Sequence, residues 1–277
     1  MASLLALGAA LSWGAGDFLG GIATRRICVL TVLALSQAVG LAGVLLWVLI
    51  SGEAFPGIGK LLPAAAAGVS GLVGLAALYR GFAVGAMGIV APISAAAPLV
   101  PLTVDAAHGI TPATVQWIGV AFVLAGIVTL SREPSALGGQ RLAAGASLSV
   151  VAALGFGGFI VGLDAGSDES APWAVVAARS TSVAIALLAV AVTSTSLRAP
   201  RPLLPVLVGV GVFDTAANVA VAFATTKGAA GIVSVLSALY PVVTVVLARF
   251  VLGERLSGAR RVAGGVTLAG AALVAVG

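Results

Sequence analysis

Apolar residues run in blocks of about twenty along this chain, the length that crosses ~30 Å of hydrocarbon at 1.5 Å rise per residue. In order, the blocks are Ser3–Ala23, Val29–Ile50, Leu61–Phe82, Met87–Ala107, Ala113–Leu130, Leu142–Leu163, Pro172–Val192, Leu203–Ala224, Gly228–Leu252 and Val262–Val276. None alternates strictly as a barrel strand does. Each is predicted to be a helix, because a backbone in lipid must satisfy its polar groups within its own segment. The pattern predicts an all-α membrane protein with ten transmembrane helices. Prolines support the boundaries. Pro63, Pro112, Pro172 and Pro202 lie at or near the first turn of a block, where proline costs least. Gly52, Pro56, Gly57, Pro134, Gly138, Gly139, Pro200 and Pro205 mark connections or their edges.

The blocks repeat. Gly85–Pro101 (GAMGIVAPISAAAPLVP) and Gly228–Thr244 (GAAGIVSVLSALYPVVT) share 9 of 17 positions at an offset of 143, including Ser94/Ser237 and Pro98/Pro241. Trp13-Gly14-Ala15 pairs with Phe156-Gly157-Gly158 at the same offset, and Leu124–Val128 with Leu268–Ala272 at 144. Such self-similarity divides the chain into repeats at 1–131 and 142–277, joined by a linker at 132–141, REPSALGGQR. Five spans per repeat is an odd number, so the second repeat enters the membrane from the opposite side. Two inverted five-helix repeats follow from that count.

Composition fits this picture. Of 277 residues 60% are hydrophobic and 8% charged, too few charges to cover a soluble fold, so the surface faces lipid. The net charge of +5 would suggest nucleic acid in a soluble protein, but the basic residues are scattered between apolar runs and form no stripe. Arg25, Arg26, Arg132, Arg141, Arg198, Arg201, Arg255, Arg260 and Arg261 fall in the odd-numbered loops. Lys60, Lys227, Asp164, Asp168 and Glu169 fall on the other face. The bias puts the odd-numbered loops in the cytoplasm and both termini outside. The first block has no basic leader and has a mid-chain partner, so it is read as a retained span rather than a signal peptide. Cys28 is the sole cysteine, which excludes an intramolecular disulfide and a cysteine-based metal site.

Ionisable residues within spans are costly and mark function. Arg80, Asp105 and Arg249 lie near span ends, where snorkelling to the interface accounts for them. Asp17, Arg179 and Asp214 lie deeper. Asp214 and Asn218 are four apart, as are Trp13 and Asp17, so each pair shares a helix face. Arg179 can pair with either aspartate. A polar cavity competes here with a clamp that only holds helices together. A buried aspartate could also carry a coupling proton. The repeated segment adds kinking prolines, Pro92, Pro98 and Pro101 in span 4 and Pro241 in span 9, beside Ser94, Ser237 and Tyr240. Kinks at matching places in two halves point to a central transport site.

Enzyme signatures fail. Gly14-Ala15-Gly16-Asp17 reads as the GxGD of intramembrane aspartyl proteases, but stands in the wrong order and without the later motif. Gly68-Val69-Ser70-Gly71 reads as the GxSG of rhomboid proteases, but the sole histidine, His108, is misplaced. G-x-x-x-G occurs at Gly16–Gly20, Gly81–Gly85 and Gly158–Gly162, as chance allows among 37 glycines. There is no phosphate- or metal-binding motif, so no cofactor is expected.

The WGAGDFLGG start of span 1 and the stretch Gly231–Leu273, with its LSALYPV core, GERL loop and small-residue final helix, resemble the EamA type of the drug/metabolite transporter superfamily. The first repeat departs at the loop, reading His108-Gly109-Ile110-Thr111-Pro112 where GERL would stand, so Glu254 has no partner copy. The resemblance implies a secondary carrier of a bacterial inner membrane that exports a small metabolite such as an amino acid or a drug-like compound. Spans 1, 3, 4, 6, 8 and 9 would line its cavity. The substrate contacts would be Trp13, Asp17, Ser94, Arg179, Asp214, Asn218, Ser237 and Tyr240. A lipid-carrier flippase and a non-transporting scaffold are the alternatives: a dry, sealed interior favours the scaffold, a polar cavity open to one side the carrier, and a lateral gap to lipid the flippase. The partners are a small-molecule substrate and the bilayer, with no nucleic acid; proton coupling and a homodimer stay open. Related carriers are often described with cytoplasmic termini, opposite to the loop count.

Overall fold

The computed structural model describes residues 1–24, 26–84, 94, 96–131, 139–251 and 258–276. Outside the described residues fall Arg25, most of the first repeated segment with Pro92, residues 132–138 of the linker, and the loop holding Glu254 and Arg255. The side chains of Arg80, Arg141, Arg249, Arg260 and Arg261 also lie outside them.

The described residues are helical and contain no strand. The helices are α1 (Ala2–Thr24), α2 (Val29–Ser51), α3 (Ile58–Val84), α4 (Leu99–Ala107), α5 (Thr114–Ser131), α6 (Gly139–Ala165), α7 (Ala171–Thr193), α8 (Leu204–Thr225), α9 (Ala230–Ser237), α10 (Tyr240–Val251) and α11 (Gly258–Val276). A 3-10 turn at Arg201–Leu203 leads into α8. Six described stretches are long and apolar enough to cross a membrane: Ala2–Thr24, Val29–Ser51, Ile58–Ala77, Ser147–Ala165, Ala171–Thr193 and Arg201–Thr225. Apolar side chains such as Leu4, Leu49, Phe122, Leu188 and Phe250 stand on the outer surface, as lipid contact requires. This is a multi-pass membrane protein.

Ends are set locally. Gly52 takes φ 67°, the left-handed stop that closes α2. Ser170 accepts from Trp173 N at 3.4 Å and caps α7, with Pro172 in its first turn. α3 starts at Ile58, earlier than the apolar block, so Pro63 sits inside the helix rather than in its first turn.

Spans 4 and 9 are interrupted where the repeated segments carry Pro98 and Pro241. In span 9 the break falls at Ala238–Leu239, between α9 and α10. Proline offers no N–H to the carbonyl four residues back, and a tighter three-residue bond takes over. Val242 N donates to Leu239 O at 2.9 Å, and Leu99 N donates to Ala96 O at 2.9 Å. These two bonds are equivalent under the offset of 143, so both repeats break their helix in the same way.

The packing repeats as well. α1 packs on α8 and α3 on α6; α2 meets α7, and α5 meets α11. The offset exchanges the first pair with the second and returns the other two to themselves. Single contacts obey the same exchange. A Cβ on Gly14 would lie 2.8 Å from Tyr240 O, and one on Gly157 would lie 2.7 Å from Ala97 O. Only glycine admits these approaches. Exchange of contacts in both directions is the mark of a pseudo-two-fold relation between two repeats.

The main cluster of buried side chains reaches the start of α1. Ala6, Ala9 and Ala10 of α1 are buried with Leu102, Leu163, Ala224, Val233 and Leu236. At that end Lys60 and Glu169 form an exposed ion pair at 2.9 Å, and Ser170 Oγ donates to Glu53 Oε2 at 2.8 Å. The Lys60 ammonium holds the Glu169 carboxyl below its usual range, chiefly through their hydrogen bond.

A candidate solute cavity between the repeats

α1 sets the first wall. Trp13 and Asp17, one turn apart, face the molecular centre together. Trp13 Nε1 donates to Asn218 Oδ1 of α8 at 3.1 Å. The Trp13 ring meets Tyr240 edge-on, with centroids 6.3 Å apart. Tyr240 starts α10 at the helix break, and Thr244 one turn on donates to Gly14 O at 3.2 Å.

α7 brings Arg179, which is 4% exposed. Two close approaches place it: Ala178 O lies against Gly68 of α3, and Ser36 O against Gly211 of α8, both where a Cβ would clash. These contacts draw α7 and α2 inward. Arg179 Nη2 then pairs with Asp214 Oδ2 at 2.5 Å, and Nη1 donates to Gln37 Oε1 at 2.8 Å. Ser182 Oγ donates to the same Gln37 oxygen at 2.8 Å. The guanidinium is thus held by one carboxylate and one amide on two other helices. A buried cation requires such partners.

All eight residues singled out from the sequence line one cavity of about 570 Å³. Asp17 differs from the rest. Its side chain is exposed to the cavity, and it forms no hydrogen bond or ion pair with any described residue. Ser94 Oγ is buried and has no partner among the described residues. Ser237 Oγ is buried and reaches Ala6 O at 3.5 Å.

The cavity runs one way. Its lining extends from Trp13, midway along α1, to Thr24 at the end of that helix and Val29 at the start of α2. In the other direction the core around Ala6, Ala9 and Ala10 fills the space. Asp105 contributes to that seal. It is 8% exposed, and its Oδ2 accepts from Gly231 N at 2.6 Å. The snorkelling expected of Asp105 is therefore wrong. A carboxylate near the first turn of α9 meets free N–H groups and the positive end of the helix dipole, which holds it inside.

Three more spans line the cavity than the resemblance implied: α2 gives Ser36 and Gln37, α7 gives Arg179 and Ser182, and α5 gives Ile127. Gln37 is the residue that sequence reasoning missed. Its signal was available, since an amide in the middle of an apolar span is as anomalous as a charge.

A family model for EamA-like transporters matches residues 1–132 and 143–276. The chain belongs to the EamA-like transporter family. Members of the EamA-like family are membrane transporters of small solutes, not enzymes, and the two matched stretches correspond to its two-repeat architecture. A solved crystal structure superposes with a TM-score of 0.82 over 99% of this chain and 96% of its own, at 20% identity; that likeness concerns the fold alone. Comparison with curated protein sequences finds no match.

Proposed function

We propose that this protein is a secondary active carrier of a bacterial inner membrane that exports a small metabolite by alternating access. The observation that carries the reading is the one-sided cavity between the repeats. It is polar at its centre, reaches the end that bears the α1–α2 connection, and stops against a packed core at the other end. A scaffold would need no such cavity, and its aspartates would be paired. Among the described residues Asp17 has no such partner.

Ten crossings fit the contacts at the helix ends. Ala2 lies against Gly228, Gln116 Nε2 donates to Val274 O at 3.4 Å, and Lys60 meets Glu169, so these ends share one face. Thr31 Oγ1 donates to Ser196 O at 2.8 Å on the other face, near Arg26 and Arg198. Alternation of this kind needs an odd number of crossings per repeat, and hence inversion of the second repeat. α9 and α10 together supply one crossing. The basic face is assigned to the cytoplasm, so the cavity opens inward.

The exchange of packing between repeats supplies the mechanism. If two pseudo-equivalent arrangements are close in energy, the repeats can trade them, and the packed end opens while the open end closes. The eight lining residues singled out from the sequence form the solute contacts, and Asp17 and Asp214 are the candidates for a coupling proton.

The test is uptake into proteoliposomes under an imposed pH gradient, with Asp17→Asn and Asp214→Asn alongside. A gradient-driven flux that both variants lose supports the reading. Undiminished pH-dependent flux in both removes proton coupling through these groups. No flux of any tested metabolite, with unchanged tolerance in overexpressing cells, removes the carrier.

A further inference from the structure

The cavity's two walls differ in chemistry. The exchange that maps α1 onto α6 and α8 onto α3 sends Trp13 to Phe156, Asp17 to Ile160, Asp214 to Gly71 and Asn218 to Leu75. All eight of these positions line the cavity. One wall therefore carries two carboxylates, an amide and an indole N–H. The other offers aromatic and aliphatic surface at the same places.

Charge narrows the choice further. Arg179 and Asp214 pair with each other, and Asp17 remains, a carboxyl that forms no ion pair with any described residue. A charge held off bulk water requires a counter-charge. An anionic solute would find none in the described walls, because Arg179 is already paired with Asp214 and its Nε and Nη2 are buried. A cationic solute would find Asp17 and, one turn away, the Trp13 ring, whose face attracts an ammonium group.

We propose that the cavity takes a monocationic amphipathic amine, with its ammonium group between Asp17 and Trp13 and its apolar body against Leu75, Phe156 and Ile160. This rests on the carrier reading and adds a solute class to it. The cavity of about 570 Å³ lies in the usual range for a small-molecule site, so the amine is a small one.

Binding to the full-length protein in detergent, read by calorimetry, tests the class without requiring transport. The probes are 2-phenylethylammonium, 2-phenylethanol and 3-phenylpropanoate, which share a ring and differ in charge. The expected order is cation, then alcohol, then anion. Asp17→Asn is expected to weaken the cation by about tenfold or more and to leave the alcohol unchanged. Phe156→Ala is expected to weaken the cation and alcohol alike. Equal or tighter binding of the anion overturns the proposal, as does a cation affinity indifferent to Asp17→Asn, or no binding of any probe. Phenylalanine binding as tightly as 2-phenylethylammonium overturns the monocation, since its carboxylate would then have a partner. If Asp17→Asn does not fold, the wild-type order and Phe156→Ala still decide. Flux is measured separately in proteoliposomes. Cation binding without flux contradicts the carrier and leaves the class standing; flux of anions without cation binding does the reverse.

Discussion

The wall built by α1 and α8 and the wall built by α6 and α3 have one architecture and two chemistries. Gly14 approaches Tyr240 O as Gly157 approaches Ala97 O, and the helix break after Ser237 repeats the one after Ser94. Yet Asp17 faces the cavity where Ile160 does in the other repeat, and Trp13 where Phe156 does. The difference separates what builds a carrier from what chooses its solute. The close approaches of Gly14 and Gly157, and of Gly68 and Gly211, are duplicated, because both repeats must pack alike for their arrangements to be interchangeable. Trp13, Asp17, Asp214 and Asn218 are single, because one solute occupies one cavity.

The sharpest way to break that comparison is to make the walls alike. Asp17→Asn is expected to abolish gradient-driven flux in proteoliposomes while leaving unfolding in detergent unchanged. Ile160→Val at the related position keeps its apolar surface and is expected to keep most of the flux. Equal loss in both would erase the distinction between the walls. Next in size is the ion pair. Asp214→Ala leaves Arg179 buried without its carboxylate, and chemical unfolding should show a loss of about 3 kcal/mol. The cavity reaches Asp214, so solvent tempers this value. Gly71→Ala at the related position meets only the edge of Phe159 and should cost about 1 kcal/mol. A third test probes what the repeats share. Gly14→Val and Gly157→Val should destabilise equally, by about 1–3 kcal/mol each, because each forces a side chain into backbone and valine. Unequal losses would contradict the pseudo-two-fold. The smallest effect belongs to the exposed pair. With its carboxyl held below the usual range, Glu169 stabilises the fold above the ordinary glutamate pKa and ceases to do so as pH falls through its lowered value. Lys60→Gln should flatten that acid dependence slightly and leave flux alone, because both side chains are solvated.

Much of this site was legible in the sequence because lipid makes polarity conspicuous. Asp17, Arg179, Asp214 and Asn218 stand out in apolar blocks, and helical spacing groups them correctly. Pro98 and Pro241 announced the broken helices through chemistry alone, since a missing N–H is a property of the residue. What was not legible depends on partners. The pairing of Arg179 with Asp214 rather than Asp17 is set by how far α7 is drawn in against α3, which no spacing encodes. Asp105 was misplaced for the same reason: its distance from a span end suggested the interface, whereas the free N–H of Gly231, more than a hundred residues away, holds it inside. The G-x-x-x-G matches, set aside as chance, divide in the structure. A Cβ on Gly158 or Gly162 of α6 would lie 2.7 Å from Ser70 Oγ or 2.8 Å from Pro63 O of α3, whereas one on Gly16 would come no nearer than 3.5 Å to α8. The motif alone does not say which of its matches meets a neighbouring helix.

The central claim is that the packed end and the open end exchange. Thiol accessibility tests it most directly and needs no substrate. In a Cys28→Ser background, Gly21→Cys reports the open end and Ala10→Cys the packed end, since Gly21 lines the cavity and Ala10 is 2% exposed in the core. A membrane-impermeant maleimide should label Gly21→Cys from the face of the α1–α2 connection only. It should label Ala10→Cys slowly and from the opposite face only, as the second arrangement is visited. Protection of Ala10→Cys from both faces under every gradient, in a protein that still unfolds cooperatively, would contradict alternating access.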